Sequence, residues 1–197
     1  MKRLALLLLL ALCACGYHFD GGEKIAVSVP YVIGDQEGEL TDSLIWALSR
    51  TANFRYTQDE GDWILKAKVV DTFNDRIGYR YDRDPKTGDI RKNVMGTENR
   101  KSITVEVSVV NGTTGKLILG PQKVKADADY DYVDPNSLRD VSFIDPATGV
   151  RTTSIAFSLG QLDSVGAAGE DATYPIYHLL ARKIVDGMLA TGVPDDE

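Results

Sequence analysis

Eight basic side chains crowd one short stretch of an otherwise acidic chain: Arg76, Arg80, Arg83, Lys86, Arg91, Lys92, Arg100 and Lys101. Only four acids, Asp82, Asp84, Asp89 and Glu98, stand among them, so the stretch carries +4 in a 197-residue chain of net charge −7. Tyr79, Tyr81, Ile90, Val94 and Met95 are interleaved with the charges. A guanidinium presents a planar fork of donors that matches phosphate and carboxylate oxygens. Basic forks mixed with aromatic and aliphatic groups suit an anionic amphiphile. The competing reading is an exposed β-ribbon whose Lys and Arg block edge-to-edge pairing with other chains. Sequence leaves these two readings open.

The other chemistry-bearing residues point to structure. His18 and His178 share no metal-ligand spacing. Asp127-Ala-Asp129-Tyr-Asp131 opens like a calcium loop, but Tyr132 stands where that loop needs Gly and Leu138 where it needs Glu. An acidic outer strand face is the expected outcome. Gly112-Thr-Thr-Gly115-Lys116 is too short for a phosphate loop, and Leu117 replaces the required Ser or Thr. It reads as a hairpin turn. No Gly-x-Ser-x-Gly elbow occurs, and no carboxylate spacing singles out a catalytic pair. The chain is expected to be no enzyme and to need no cofactor and no metal. Its acidic balance argues against nucleic-acid binding, which calls for a basic face.

The first residues carry a different chemistry. Lys2 and Arg3 precede an apolar run from Leu4 to Leu12. A bilayer span needs about 20 apolar residues, so this run is a signal segment over 1–14 and not a membrane helix. Leu12-Cys13-Ala14-Cys15 resembles the bacterial lipobox, which makes Cys15 the acylated first residue of a mature chain over 15–197. Cys13 fits less well, because bulky Leu12 precedes it. The alternative, a plain secretory signal cut after Ala14, leaves Cys15 a free thiol. Each acyl CH₂ buried contributes about 0.8 kcal/mol, and several chains together hold durably. Gly16, in place of Asp, points to the outer membrane by resemblance to the proteobacterial sorting rule. Loss of Lys2 and Arg3 takes the net charge from −7 to −9.

Periodicity supplies the elements that must position these residues. Ile25, Val27 and Val29 alternate up to Pro30, a first strand. Leu40, Leu44, Ala47, Leu48 and Thr51 recur at helical spacing, giving a helix over Leu40–Ala52. Alternation around Trp63–Val69 and Ile103–Val109 gives two more strands, and Lys116–Val133 a fourth that breaks near Gly120-Pro121. Asp84-Pro85-Lys86-Thr87-Gly88 is turn chemistry, so Arg76–Lys101 is expected to form the end of one long hairpin that leaves the core. Asp145-Pro146-Ala147-Thr148-Gly149 repeats that turn between Val141–Ile144 and Val150–Phe157, a small second hairpin. Tyr177, Leu180, Ala181, Ile184 and Met188 form one helical stripe, with Pro175 in its first turn and Gly192 beyond its end. A frayed tail is expected from about residue 192. The predicted fold class is α+β: two helices on one face of a four-stranded, mostly antiparallel sheet, in the order β-α-β-β-β-α, forming one domain.

Cys15-Gly16-Tyr17-His18-Phe19 resembles the mature start of the LptE-type lipopolysaccharide-assembly lipoproteins. The resemblance continues through Ile25–Pro30, Leu40–Leu44, Gly61–Leu65, Thr113–Lys116 and Leu179–Val185. Leu159–Asp163 is similar to the branch of that family found outside the proteobacteria. The resemblance implies an outer-membrane lipoprotein that partners the β-barrel LptD and contacts lipopolysaccharide as it passes outward. It assigns a role to Cys15 alone; the basic residues are read from charge. Leu138–Ala172 is longer than the compact proteobacterial pattern. A second expectation is a lipid-anchored periplasmic regulator of a cell-wall synthase or another envelope enzyme, which shares the tether and can share an α+β fold.

Overall fold

The computed structural model describes residues 24–84, 87–132, 142–153 and 164–191. The expectations for Cys15, for the signal segment and for the tail from 192 lie outside these residues. The main elements are strands β1 (Ile25–Ser28), β2 (Phe54–Thr57), β3 (Trp63–Arg83), β4 (Ile90–Asn111) and β5 (Leu117–Asp131). Helix α1 (Glu39–Ser49) lies between β1 and β2. A small ribbon of β6 (Ser142–Ile144) and β7 (Arg151–Thr153) follows, then α2 (Val165–Asp171) and α3 (Thr173–Ala190).

The sheet corrects the predicted architecture in two respects. It has five strands, in the order β2-β1-β3-β4-β5, and it is mixed. β1 lies parallel to both β2 and β3, while β3–β4 and β4–β5 are antiparallel. The missed strand is β2. Its four residues, Phe-Arg-Tyr-Thr, are too few to show a period, and pairing fixes them: Ile25↔Phe54 through Ser28↔Thr57. Helix α2 was also unforeseen; Ser164 caps it, its Oγ accepting from the Ala167 amide at 3.3 Å.

α1 runs three residues shorter at its end than predicted. Asp35 fastens its start, accepting from the Thr41 amide at 2.8 Å and from Thr41 Oγ1 at 2.9 Å. Leu40, Leu44 and Leu48 form its buried stripe. α3 buries Ile176, Leu180, Ala181, Ile184, Val185 and Met188, and Pro175 falls in its first turn as expected. These side chains meet Leu65, Ala67, Ile103, Val105, Val107, Val109 and Ala126 from the sheet. Each such aliphatic group contributes about 1.5–3 kcal/mol when fully removed from water. The opposite sheet face carries charge: Lys68, Glu106 and Lys123 line up across three strands, as do Asp75, Arg100 and Asp129.

The two predicted turns are built alike. The Asp84 amide donates to the Asp89 carbonyl and the Gly88 amide to the Asp84 carbonyl; Asp145 bonds to Val150 and Gly149 to Asp145 in the same pattern. Gly88 and Gly149 have φ of 78° and 66°, a backbone state that favours glycine. The turn after β4 packs against the β2–β3 connection, where the Gly112 amide donates to the Asp62 carbonyl at 2.7 Å. A Cβ at Gly112 would fall 1.9 Å from the Gly61 carbonyl oxygen, so only glycine allows that approach.

Candidate functional site at the end of the long hairpin

β3 and β4 have 21 and 22 residues, against 15 for β5. Pairing of β4 with β5 stops at Glu98↔Asp131, whereas pairing of β3 with β4 runs on to Arg83↔Ile90. The last third of the hairpin is therefore a two-stranded ribbon beyond the sheet, as the sequence predicts. Register irregularities at Arg76/Gly78, Gly78/Tyr79 and Tyr81/Arg83 mark its course, and such bulges raise local twist. Where the ribbon leaves the sheet, Tyr132 Oη lies over Gly96, and a Cβ there would fall 2.0 Å from it.

The ribbon's apolar groups are turned outward. Tyr81 pairs across from Val94, with Tyr79 two residues along on the same side. Tyr79, Tyr81, Ile90 and Val94 are all more than half exposed, whereas Met95 is buried. A side chain that size gains nothing from water, and a run of four is a marker of a contact surface.

Among the described residues, the predicted basic side chains do not form one patch. Arg83 Nη1 donates to the Gly88 carbonyl at 2.9 Å, closing the turn. Arg91 pairs with Asp84 at 2.8 Å, and that bond raises the guanidinium above its ordinary value. Arg100 grips Asp129 with two bonds of 2.6 and 2.8 Å on the open sheet face. Its guanidinium holds the Asp129 carboxyl below the usual carboxylate range. Lys101, its neighbour, points to the helical side. Its Nζ donates to the Gly169 carbonyl at 2.7 Å and to Thr173 Oγ1, tying the α2–α3 junction to β4. Burial pulls this amine below its ordinary value. Arg76 lies across from Asn99 and runs beside Gly96. Arg80 is half-buried opposite Met95 and has partners of its own. Lys92 is exposed on the ribbon, and Lys86 lies outside the described residues. Among the described residues, the cations exposed toward the end of the ribbon are thus Arg83, Arg91 and Lys92, the first two bonded within its turn, while Arg100 and Lys101 serve the fold.

The acidic run behaves as expected. Asp127, Asp129 and Asp131 are exposed, while Ala126 is buried and Ala128 and Tyr130 are half-buried. Among the described residues no cluster of three or more His, Cys, Asp or Glu is arranged to hold a metal ion. No described helix is long and apolar enough to cross a membrane.

A second surface was missed in sequence. α1 and α3 part on their outer sides to leave a groove of about 1050 Å³. Trp46 and Tyr174 each meet His178 edge-on, with ring centroids 5.5 and 4.3 Å apart. The Arg50 guanidinium lies 4.7 Å over the Trp46 ring, a cation–π contact. The available signal was Trp46 between Asp42 and Arg50, on the shoulder of α1 that the Leu40–Leu44–Leu48 stripe leaves uncovered.

No protein-family model matches the chain, and no curated protein matches it in sequence. Several solved bacterial structures are similar in outline. A minor lipoprotein from Acinetobacter baumannii shares 13% identity at a TM-score of 0.47, with 87% of this chain and 97% of that one covered. Rare lipoprotein B from Shewanella oneidensis shares 18% identity at 0.45, covering 84% and 95%. A hypothetical protein from Chlamydia trachomatis shares 10% at 0.42, covering 84% and 96%.

Proposed function

We propose that this chain is a non-enzymatic lipoprotein, held at the outer membrane through an acylated Cys15, that partners an LptD-type β-barrel and contacts lipopolysaccharide. The observation that carries the reading is the ribbon beyond the sheet, which exposes Tyr79, Tyr81, Ile90 and Val94 and carries Arg83, Arg91 and Lys92 on the same stretch. A lipid with phosphorylated sugars and acyl chains offers both halves of the matching chemistry. The lipobox-like start and the ordered motifs that resemble the LptE type supply the address and the partner.

Purification of tagged protein from native membranes tests the partner. An LptD-type barrel is expected among the co-purified proteins; its absence under detergent conditions that preserve membrane complexes counts against the proposal. Recovery of a cell-wall synthase instead supports the regulator. For the ligand, reversal of Arg83, Arg91 and Lys92 to Glu is expected to weaken lipopolysaccharide binding, more so at low salt. An unchanged affinity leaves these residues to edge protection alone.

A further inference from the structure

The groove between α1 and α3 lies beside the start of the described chain. Lys24 Nζ donates to the carbonyl of Thr51, which lines the groove together with Arg50. Only eight residues, 16 to 23, separate Lys24 from Cys15, and the connecting chain spans at most about 30 Å when fully extended. An anchor at Cys15 therefore keeps the Arg50–Thr51 end of this groove within about that reach of the bilayer surface.

The groove's side chains suit that location. Trp46 is 54% exposed and Tyr174 59% exposed, although both lie on well-packed helices. Trp and Tyr favour the boundary between headgroups and acyl chains, where an apolar ring and a polar edge are both accommodated. Arg50 and Arg182 line the groove as cations suited to phosphate, and Glu39, Asp42 and Asp186 as acids suited to an ammonium. The net charge of −9 left once Lys2 and Arg3 are removed disfavours an anionic surface, so a mixed-charge rim on an acidic protein matches a zwitterionic one.

We infer that the α1–α3 groove, centred on Trp46, seats against a zwitterionic phospholipid surface and acts as a second, non-covalent membrane contact beside the acyl anchor. This rests on the proposed acylation of Cys15. Several acyl chains hold durably but leave the domain free to turn on its tether, and a protein contact adds orientation. The groove face then lies at the membrane while the ribbon is free to meet its own ligand.

The chain's two tryptophans make the test direct, because Trp63 is buried at 5% exposure and Trp46 is not. Full-length acylated protein is reconstituted into phosphatidylcholine–phosphatidylethanolamine vesicles, with and without brominated acyl chains, and compared with Trp46→Phe. Flotation with the vesicles reports the anchor; quenching reports the groove. A ring buried about 5–10 Å into the boundary is expected to lose about half or more of its emission to bromine, and Trp46→Phe should float equally and show no such loss. Flotation with Trp46 unquenched overturns the groove contact and leaves the anchor standing; it is also the result if the groove faces water or another protein. An unmodified thiol at Cys15 in protein that stays in the soluble fraction overturns the anchor and the contact together.

Discussion

Ile103 and Val94 sit on the same strand, yet Ile103 is 1% exposed beneath the helices and Val94 is 53% exposed on the ribbon. The inner half of the hairpin has β5 on one flank of β4 and two helices above it. The outer half has only its own second strand, and a two-stranded ribbon alone buries too little to be stable in isolation. The inner half therefore pins the ribbon, and the ribbon's side chains are released from packing duty. Within the inner half, the pleat turns successive side chains to opposite faces, so adjacent residues of one charge do different things. Arg100 reaches across the open face to Asp129, and Lys101 reaches into the helical layer.

Paired substitutions can break this contrast. The largest effect is expected from Ile103→Ala, which should lose about 2–5 kcal/mol in chemical denaturation, whereas Val94→Ala should stay within about 0.5 kcal/mol. Similar losses at both positions would mean that the ribbon is packed in solution. Next, Lys101→Ala removes a charged donor from the Gly169 carbonyl and should cost about 1–2 kcal/mol, with faster amide exchange across α2. Lys92→Ala should change neither measurement.

The smallest effect concerns the open face. Arg100 depresses the Asp129 pKa in the folded chain, so near that pH the unfolded chain binds more protons. The pair's contribution is present above the ordinary carboxylate range and disappears as pH falls through the lower folded value. Asp129→Asn should be slightly less stable than the parent near neutrality, match it in strong acid, and lose its difference in high salt. A difference that persisted in acid would point to packing and not to charge.

Much of the fold was legible because its signals are local. Alternation from Ile103 to Val109 and the stripe through Leu180, Ala181 and Ile184 need only neighbouring residues to declare themselves. β2 was illegible because four residues carry no period, and its strand state comes from pairing with β1. The basic stretch was legible as charge but not as a site. Nothing in sequence shows that Asp84 takes Arg91 and that Asp129 takes Arg100. The Trp46 groove was hidden for the same reason, since its other wall belongs to a helix more than a hundred residues later.

Sequence alone determined the twin Asp-Pro-x-Thr-Gly turns, the strand and helix periods, and the acidic balance with its one basic stretch. Each follows from backbone preferences or hydrogen bonds within a few residues. Tertiary structure decided how far the hairpin outruns β5, which cations remain turned to solvent, and where Lys101 points. Its partners Gly169 and Thr173 lie 68 and 72 residues away. Contacts over such distances form only when the whole core collapses, because the loop-closure entropy is offset by burial shared across every element and not by any one pair.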